Sequence, residues 1–152
     1  MHSKKQEFKE VVEQNVFLIK TLTKYTSQYE EFVKVADSLF NNASRVQMFE
    51  ILKKETLNTL QLAKRVNISY VSAIKHIKLF KEYSLITEEK QPHSQGQAIM
   101  ISSRGVEPKQ CIKEALSKRK TELIKKCYND IKIKIPSYTF EMVALLFDSI
   151  SS

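Results

Sequence analysis

Residues 68–83, ISYVSAIKHIKLFKEY, decide how the rest of the chain is read. Ser69 is a good helix N-cap, and Ala73, Ile74, Ile77 and Phe80 follow at the spacing of one buried helix face. Opposite them stand Ser72, Lys75 and His76, with Lys78 flanking and Tyr70 in the first turn. A helix apolar on one side and polar or cationic on the other is suited to the major groove of DNA. Upstream, residues 45–54 place Val46, Phe49, Ile51 and Leu52 on one side, and Leu60, Ala63 and Val66 recur at three-residue spacing. Asn67 stands as a helix stop. Short helices joined by a tight turn to an amphipathic third helix form a helix-turn-helix.

Downstream, residues 85–89 read as a strand, residues 91–97 (QPHSQGQ) as a turn-rich tip holding Pro92 and Gly96, and residues 98–101 as the returning strand. A helix-turn-helix followed by such a hairpin is a winged helix. The expected fold is therefore mainly α with a small β-hairpin wing, carried by residues 44–105.

On particular residues this segment resembles the winged-helix domain of ArsR-like and MarR-like prokaryotic transcription regulators. They are Arg45 with Phe49, Glu50, Ile51 and Leu52, then Leu62 to Val66 (LAKRV), Asn67-Ile68-Ser69, Lys75-His76-Ile77-Lys78 and Leu85-Ile86. Ser102-Ser103-Arg104-Gly105 stands where relatives often carry Thr-x-Lys-Gly. Ser84 occupies a position usually held by glycine, and Ile74 one frequently held by serine. The resemblance implies a DNA-binding transcription regulator, a repressor more often than an activator. It also implies a homodimer in which N- and C-terminal helices of two chains interlock.

The chain has 152 residues and a formal charge of +8 from 25 basic and 17 acidic side chains. With 42% hydrophobic residues and only 2 Gly and 3 Pro, it reads as folded, helix-rich and unlike a sandwich or barrel. The charge is unevenly placed. Residues 1–43 hold 6 basic and 6 acidic side chains, residues 44–105 hold 10 and 5, and residues 106–152 hold 9 and 6. The excess thus concentrates in the segment that reads as a DNA binder, where it would attract phosphate without specifying sequence. No apolar run of membrane-span length and no signal-peptide core is present, so a cytoplasmic, nucleoid-associated location is expected.

Two helical arms flank the winged helix, at 1–43 and 106–152. In the first, Phe8, Val11, Asn15, Leu18, Leu22, Tyr25, Tyr29, Phe32, Ala36, Leu39 and Ala43 keep a heptad register, and Val12, Ile19, Val33 and Phe40 widen it. Such a stripe has to be buried. A winged helix of roughly 60 residues is small cover for it, which favours a second copy over the chain's own wing domain. In the second arm Pro108 opens a helical stripe, and residues 131–135 (IKIKI) read either as a strand or as a helix end before Pro136. Residues 137–150 form a strongly apolar helix with Ser137 as its cap. Leu18, Leu22, Tyr25, Tyr29, Phe32, Leu39, Leu145 and Leu146 are the expected dimerisation residues.

Roles in DNA binding follow from side-chain chemistry. Ser69, Tyr70, Ser72, Lys75 and His76 are the candidates for base edges, Lys75 toward guanine and Tyr70 toward a sugar or a thymine methyl. For Tyr70 the alternative is closure of the core beside Ile77; for His76 it is a solvated surface imidazole. Lys64, Arg65, Lys78, Lys90, His93 and Gln95 are the candidates for the phosphate backbone. No catalytic constellation is legible, so an enzyme is not expected. His2, His76 and His93 are scattered, Cys111 and Cys127 have no His partner pattern, and no Gly-rich phosphate loop exists. The thiolate metal sites of many ArsR-like sensors use the helix that here reads LQLAKR, without cysteine. No cofactor or metal is expected, and no convergent polar groups mark an effector site. Two other readings share the fold: a protein-interaction module, and an architectural or replication-associated DNA binder without strong sequence preference.

Overall fold

The computed structural model describes residues 3–93 and 96–151; His2 and Gln95 lie outside them. Nine elements follow in order among the described residues: α1 (Lys4–Ser38), α2 (Ala43–Leu52), β1 (Leu57–Asn58), α3 (Thr59–Val66), α4 (Tyr70–Glu82), β2 (Ile86–His93), β3 (Gly96–Ser103), α5 (Pro108–Lys134) and α6 (Phe140–Ser151). The fold is mainly helical with one small antiparallel sheet of order β1-β3-β2. It is a winged helix with long helical extensions. The chain divides into two compact units, residues 34–117 and the described residues up to Val33 together with those from Lys118. The boundaries fall within α1 and α5 rather than at their ends, because each long helix contributes side chains to both units.

The winged-helix unit is built from short, well-capped elements. Asn42 caps α2, its side chain accepting from the Arg45 amide at 3.0 Å. Met48, Phe49 and Leu52 form the buried face of α2, while Val46 is exposed. On α3 the buried residues are Leu62 and Ala63, and Leu60 is exposed. At 3.6 residues per turn a series of threes drifts around the helix, so Leu60 and Val66 cannot share one inner face. Phe40, Phe49 and Phe80 pack with ring centroids 5.4 to 6.2 Å apart. Tyr83, Leu85, Ile86 and Ile101 close the core beneath the sheet.

The sheet differs from the expected hairpin in two ways. Leu57 and Asn58 add a third strand, paired with Ile101 and Met100; two residues are too few to show strand alternation in sequence. The wing is also longer, since pairing runs to Pro92↔Gln97 and His93↔Gly96 inside the expected tip. Pro92 is tolerated there because β2 is an edge strand, where a missing N–H breaks no ladder on its outer side.

The helical unit takes its core from α1, α5 and α6: Leu18, Leu22, Tyr25, Leu123, Ile124, Cys127, Ile131, Ile135, Val143 and Phe147. The chain itself therefore covers Leu18, Leu22 and Tyr25, with Tyr29 packed edge-on against Phe147 at 6.2 Å. Leu39 lies beyond α1 and is fully buried in the winged-helix unit. Residues 131–134 end α5 as helix: Ile131 and Ile135 are buried one turn apart, while Ile133 is 76% exposed. Thr139, not Ser137, caps α6, its hydroxyl accepting from the Met142 amide at 3.2 Å. Only Val143 and Phe147 of α6 are fully buried, so this helix is not enclosed on several sides. Leu145 is 68% exposed, as is 71% of Phe8 on α1; Met142, Ile150, Val11 and Ile19 are exposed as well.

Candidate nucleic-acid interface

The turn before α4 is fixed by local chemistry. Asn67 ends α3 in the left-handed region (φ 59, ψ 50), and the Ile68 amide donates back to Ala63 O at 3.0 Å. Asparagine tolerates that conformation better than most residues with a β-carbon. Two residues on, the Ser69 hydroxyl accepts from the Ser72 amide at 3.1 Å and donates to Ser72 Oγ at 2.9 Å. At the other end of α3, Asn58 and Gln61 form a capping box with bonds of 2.8 and 3.0 Å. Because Asn58 also belongs to β1, the sheet and the first helix of the motif are locked together.

The outer face of α4 consists of Tyr70, Val71, Ile74, Lys75, Lys78 and Lys81, all exposed. Ala73, Ile77 and Phe80 face inward. Ile74, expected in the core, is 43% exposed, because the phenylalanine cluster sets the rotation of α4 about its axis and brings Ala73 rather than Ile74 to the centre. Tyr70 does not close the core beside Ile77; it is 51% exposed. Val71, overlooked in the sequence, is 62% exposed.

Several polar candidates are already engaged by the protein. Ser69 is held as the cap and Ser72 as its hydroxyl partner. His76 is half-buried on the shoulder of α4, where Arg45 Nη1 meets its Nδ1 at 3.5 Å. Burial and the Arg45 charge push the imidazole below its ordinary pKa, disfavouring its charged form. Arg45 also donates from Nε to Leu39 O at 2.6 Å, satisfying a carbonyl just past the end of α1. Arg65 forms a two-pronged ion pair with Glu55 at 2.7 and 3.1 Å, so its charge is compensated within the chain.

What stays uncompensated is more selective than the overall charge. Among the described residues Lys64, Lys75, Lys78 and Lys90 are exposed and have no carboxylate within salt-bridge distance, while Lys81 pairs with Glu88 at 3.0 Å and Lys53 with Glu50 at 3.0 Å. Lys81–Glu88 ties α4 to the wing. The His93 side chain and Gln95, both phosphate candidates, lie outside the described residues. Among the described residues no three His, Cys, Asp or Glu side chains gather as a metal site, and no helix is long and apolar enough to cross a membrane.

The chain is similar to a possible transcriptional regulator from Methanosarcina mazei Go1, at 14% identity over 68% of this chain and 85% of that one, with a TM-score of 0.42. It is also similar to the adhesin competence repressor of Streptococcus pyogenes, at 15% identity over 85% and 91%, with a TM-score of 0.41. The chain is similar, too, to RV1404 from Mycobacterium tuberculosis, at 10% identity over 99% and 92%, with a TM-score of 0.40. No protein-family model and no curated protein matches the chain. The order, caps and register of the chain's own elements make it a winged helix.

Proposed function

We propose that the chain is a sequence-specific duplex DNA-binding transcription regulator that works as a homodimer, with repression as the mode the family resemblance favours. One observation carries the reading: a capped helix presents Lys75 and Lys78 without acidic partners among the described residues, beside a sheet whose exposed Lys90 extends the same charge. Uncompensated lysines on one face release counterions when they meet phosphates. In this reading α4 enters the major groove, Lys75 donates to a base edge, and Lys64, Lys78 and Lys90 hold the backbone. The exposed apolar residues Phe8, Val11 and Ile19 of α1 and Met142, Leu145 and Ile150 of α6 support self-association. Two α4 helices related by a two-fold axis would reach successive major grooves roughly 34 Å apart.

The test is a titration of the purified protein against its own upstream DNA and a shuffled duplex at several salt concentrations. A preference of about a thousandfold for the native duplex with a steep salt slope is expected. Equal, salt-sensitive binding to both would select an architectural DNA binder. A protein-interaction module is the reading favoured by the apolar part of the α4 face, and absence of binding to any duplex at low salt would select it.

A further inference from the structure

The outer face of α4 mixes two chemistries that seldom share a solvated helix. Lys75 and Lys78 are unpaired cations among the described residues, while Tyr70, Val71 and Ile74 are large apolar side chains left in water beside them. Exposed apolar clusters of this kind mark contact surfaces. Lys75 and Lys78 continue the same exposed face past the cluster, so the surface suits a partner that sets anionic groups beside an apolar one. The major groove fits when it is rich in thymine. Its walls are phosphates, and the thymine C5-methyl is the apolar group that a base pair offers there. Hydrogen-bond readout is meanwhile reduced, because Ser69 and Ser72 bond each other and the half-buried His76 faces Arg45 on the shoulder of the helix.

Resting on the DNA-binding reading above, we propose that Val71 and Ile74, with Tyr70 beside them, set specificity by packing on thymine methyl groups, so that each half-site carries adjacent A·T pairs under the first turns of α4. Lys78 then anchors the helix at the phosphates beside that apolar contact, while Lys75 donates to a base edge next to the methyl groups.

The experiment takes the tightest duplex that the full-length protein selects from a random-sequence pool and compares it with the same duplex in which deoxyuridine replaces thymidine within the half-sites. That change removes the methyl groups and keeps every hydrogen-bonding edge. The expected loss is about fourfold per methyl contacted, hence roughly tenfold or more for a half-site with two. Val71→Ala with Ile74→Ala should weaken binding to the thymidine duplex and leave binding to the deoxyuridine duplex nearly unchanged. Both positions are exposed, so circular dichroism and thermal melting should match the parent. Equal affinity of the parent for both duplexes would overturn the methyl contact while leaving DNA binding intact. So would a loss on deoxyuridine substitution that persists undiminished in the double variant, since groove shape would then be what is read. Failure to recover or bind any duplex at low salt would overturn the DNA-binding reading itself.

Discussion

In the winged-helix unit the elements that surround the core are short, and the helix starts are fixed by named side chains: Asn42 caps α2, Asn58 caps α3 and Ser69 caps α4, while Asn67 stops α3 with its left-handed backbone. The helical unit contrasts with it. Two of its three helices, α1 and α5, are far longer, running 35 and 27 residues, and its helices leave large apolar side chains exposed. Leu22, Val143 and Phe147 are enclosed while Phe8, Ile19 and Leu145 remain in water. Short capped elements leave few ways to pack, so the first unit closes one core, and the apolar side chains it leaves in water include Tyr70, Val71 and Ile74 on one helix face. Long stripes can be partly covered in several ways, so the second unit keeps a surface for a further contact.

The largest expected effect bears on the helical core. Phe147→Ala removes a fully buried ring that packs on Tyr29, and should cost about 3–5 kcal/mol in urea unfolding. Leu145→Ala, two residues away and exposed, should stay within about 0.5 kcal/mol for the monomer but weaken self-association in sedimentation runs. Equal stability losses for the two would break the contrast between covered and uncovered faces of α6.

A smaller effect concerns the partly buried Tyr25–Asp130 pair of the same unit. The Tyr25 hydroxyl donates to the Asp130 carboxylate, and that bond, with burial, pushes the phenol up to about 12 from an ordinary 10.0. Burial likewise pushes the Cys127 thiol up to about 11 from 9.0. Both groups hold their protons more tightly folded than unfolded. Their contribution is therefore complete below the ordinary values and is lost as pH rises through about 11 to 12. Tyr25→Phe should lower stability at neutral pH by about 1–2 kcal/mol and should flatten the alkaline decline. An unchanged pH profile of chemical unfolding would remove Tyr25 from that account.

The smallest effect sharpens the description of the winged helix. Ser84 sits at φ 57, and its carbonyl accepts from Arg104 Nη1 at 3.1 Å. The left-handed conformation costs a residue with a β-carbon roughly 1–2 kcal/mol, against about 0.5–1 kcal/mol of chain entropy for glycine. Ser84→Gly should thus stabilise the protein by about 0.5 kcal/mol, read as a higher urea midpoint with unchanged slope. A lower midpoint would mean that the serine side chain contributes more than its backbone strain costs.

Much of the winged helix was legible because its signals are local. Ser69 and Asn67 act through atoms one turn away, and the wing follows from two apolar runs around Pro92 and Gly96. The missed parts depend on distant packing. Whether Ile74 or Ala73 faces inward is a rotation of α4 set by Phe40 and Phe49, both far away in sequence, and the same rotation carries Ser72 and His76 to the shoulder. The pairing of Arg65 with Glu55 joins α3 to the loop before β1 and has no helical spacing to announce it. The α1 stripe stated that a face must be buried; it could not state that α5 and α6 would cover its middle.

In the proposed function DNA meets Lys75 and Lys78 of α4 and not the outer side of α5, where Lys125 and Lys126 are exposed. The direct measurement compares two charge reversals, Lys75→Glu with Lys78→Glu and Lys125→Glu with Lys126→Glu, in duplex binding at low salt. The first pair should lower affinity by about a hundredfold or more and flatten the salt slope, and the second should change affinity by only a few-fold. The reverse order, or equal losses from the two pairs, would contradict it.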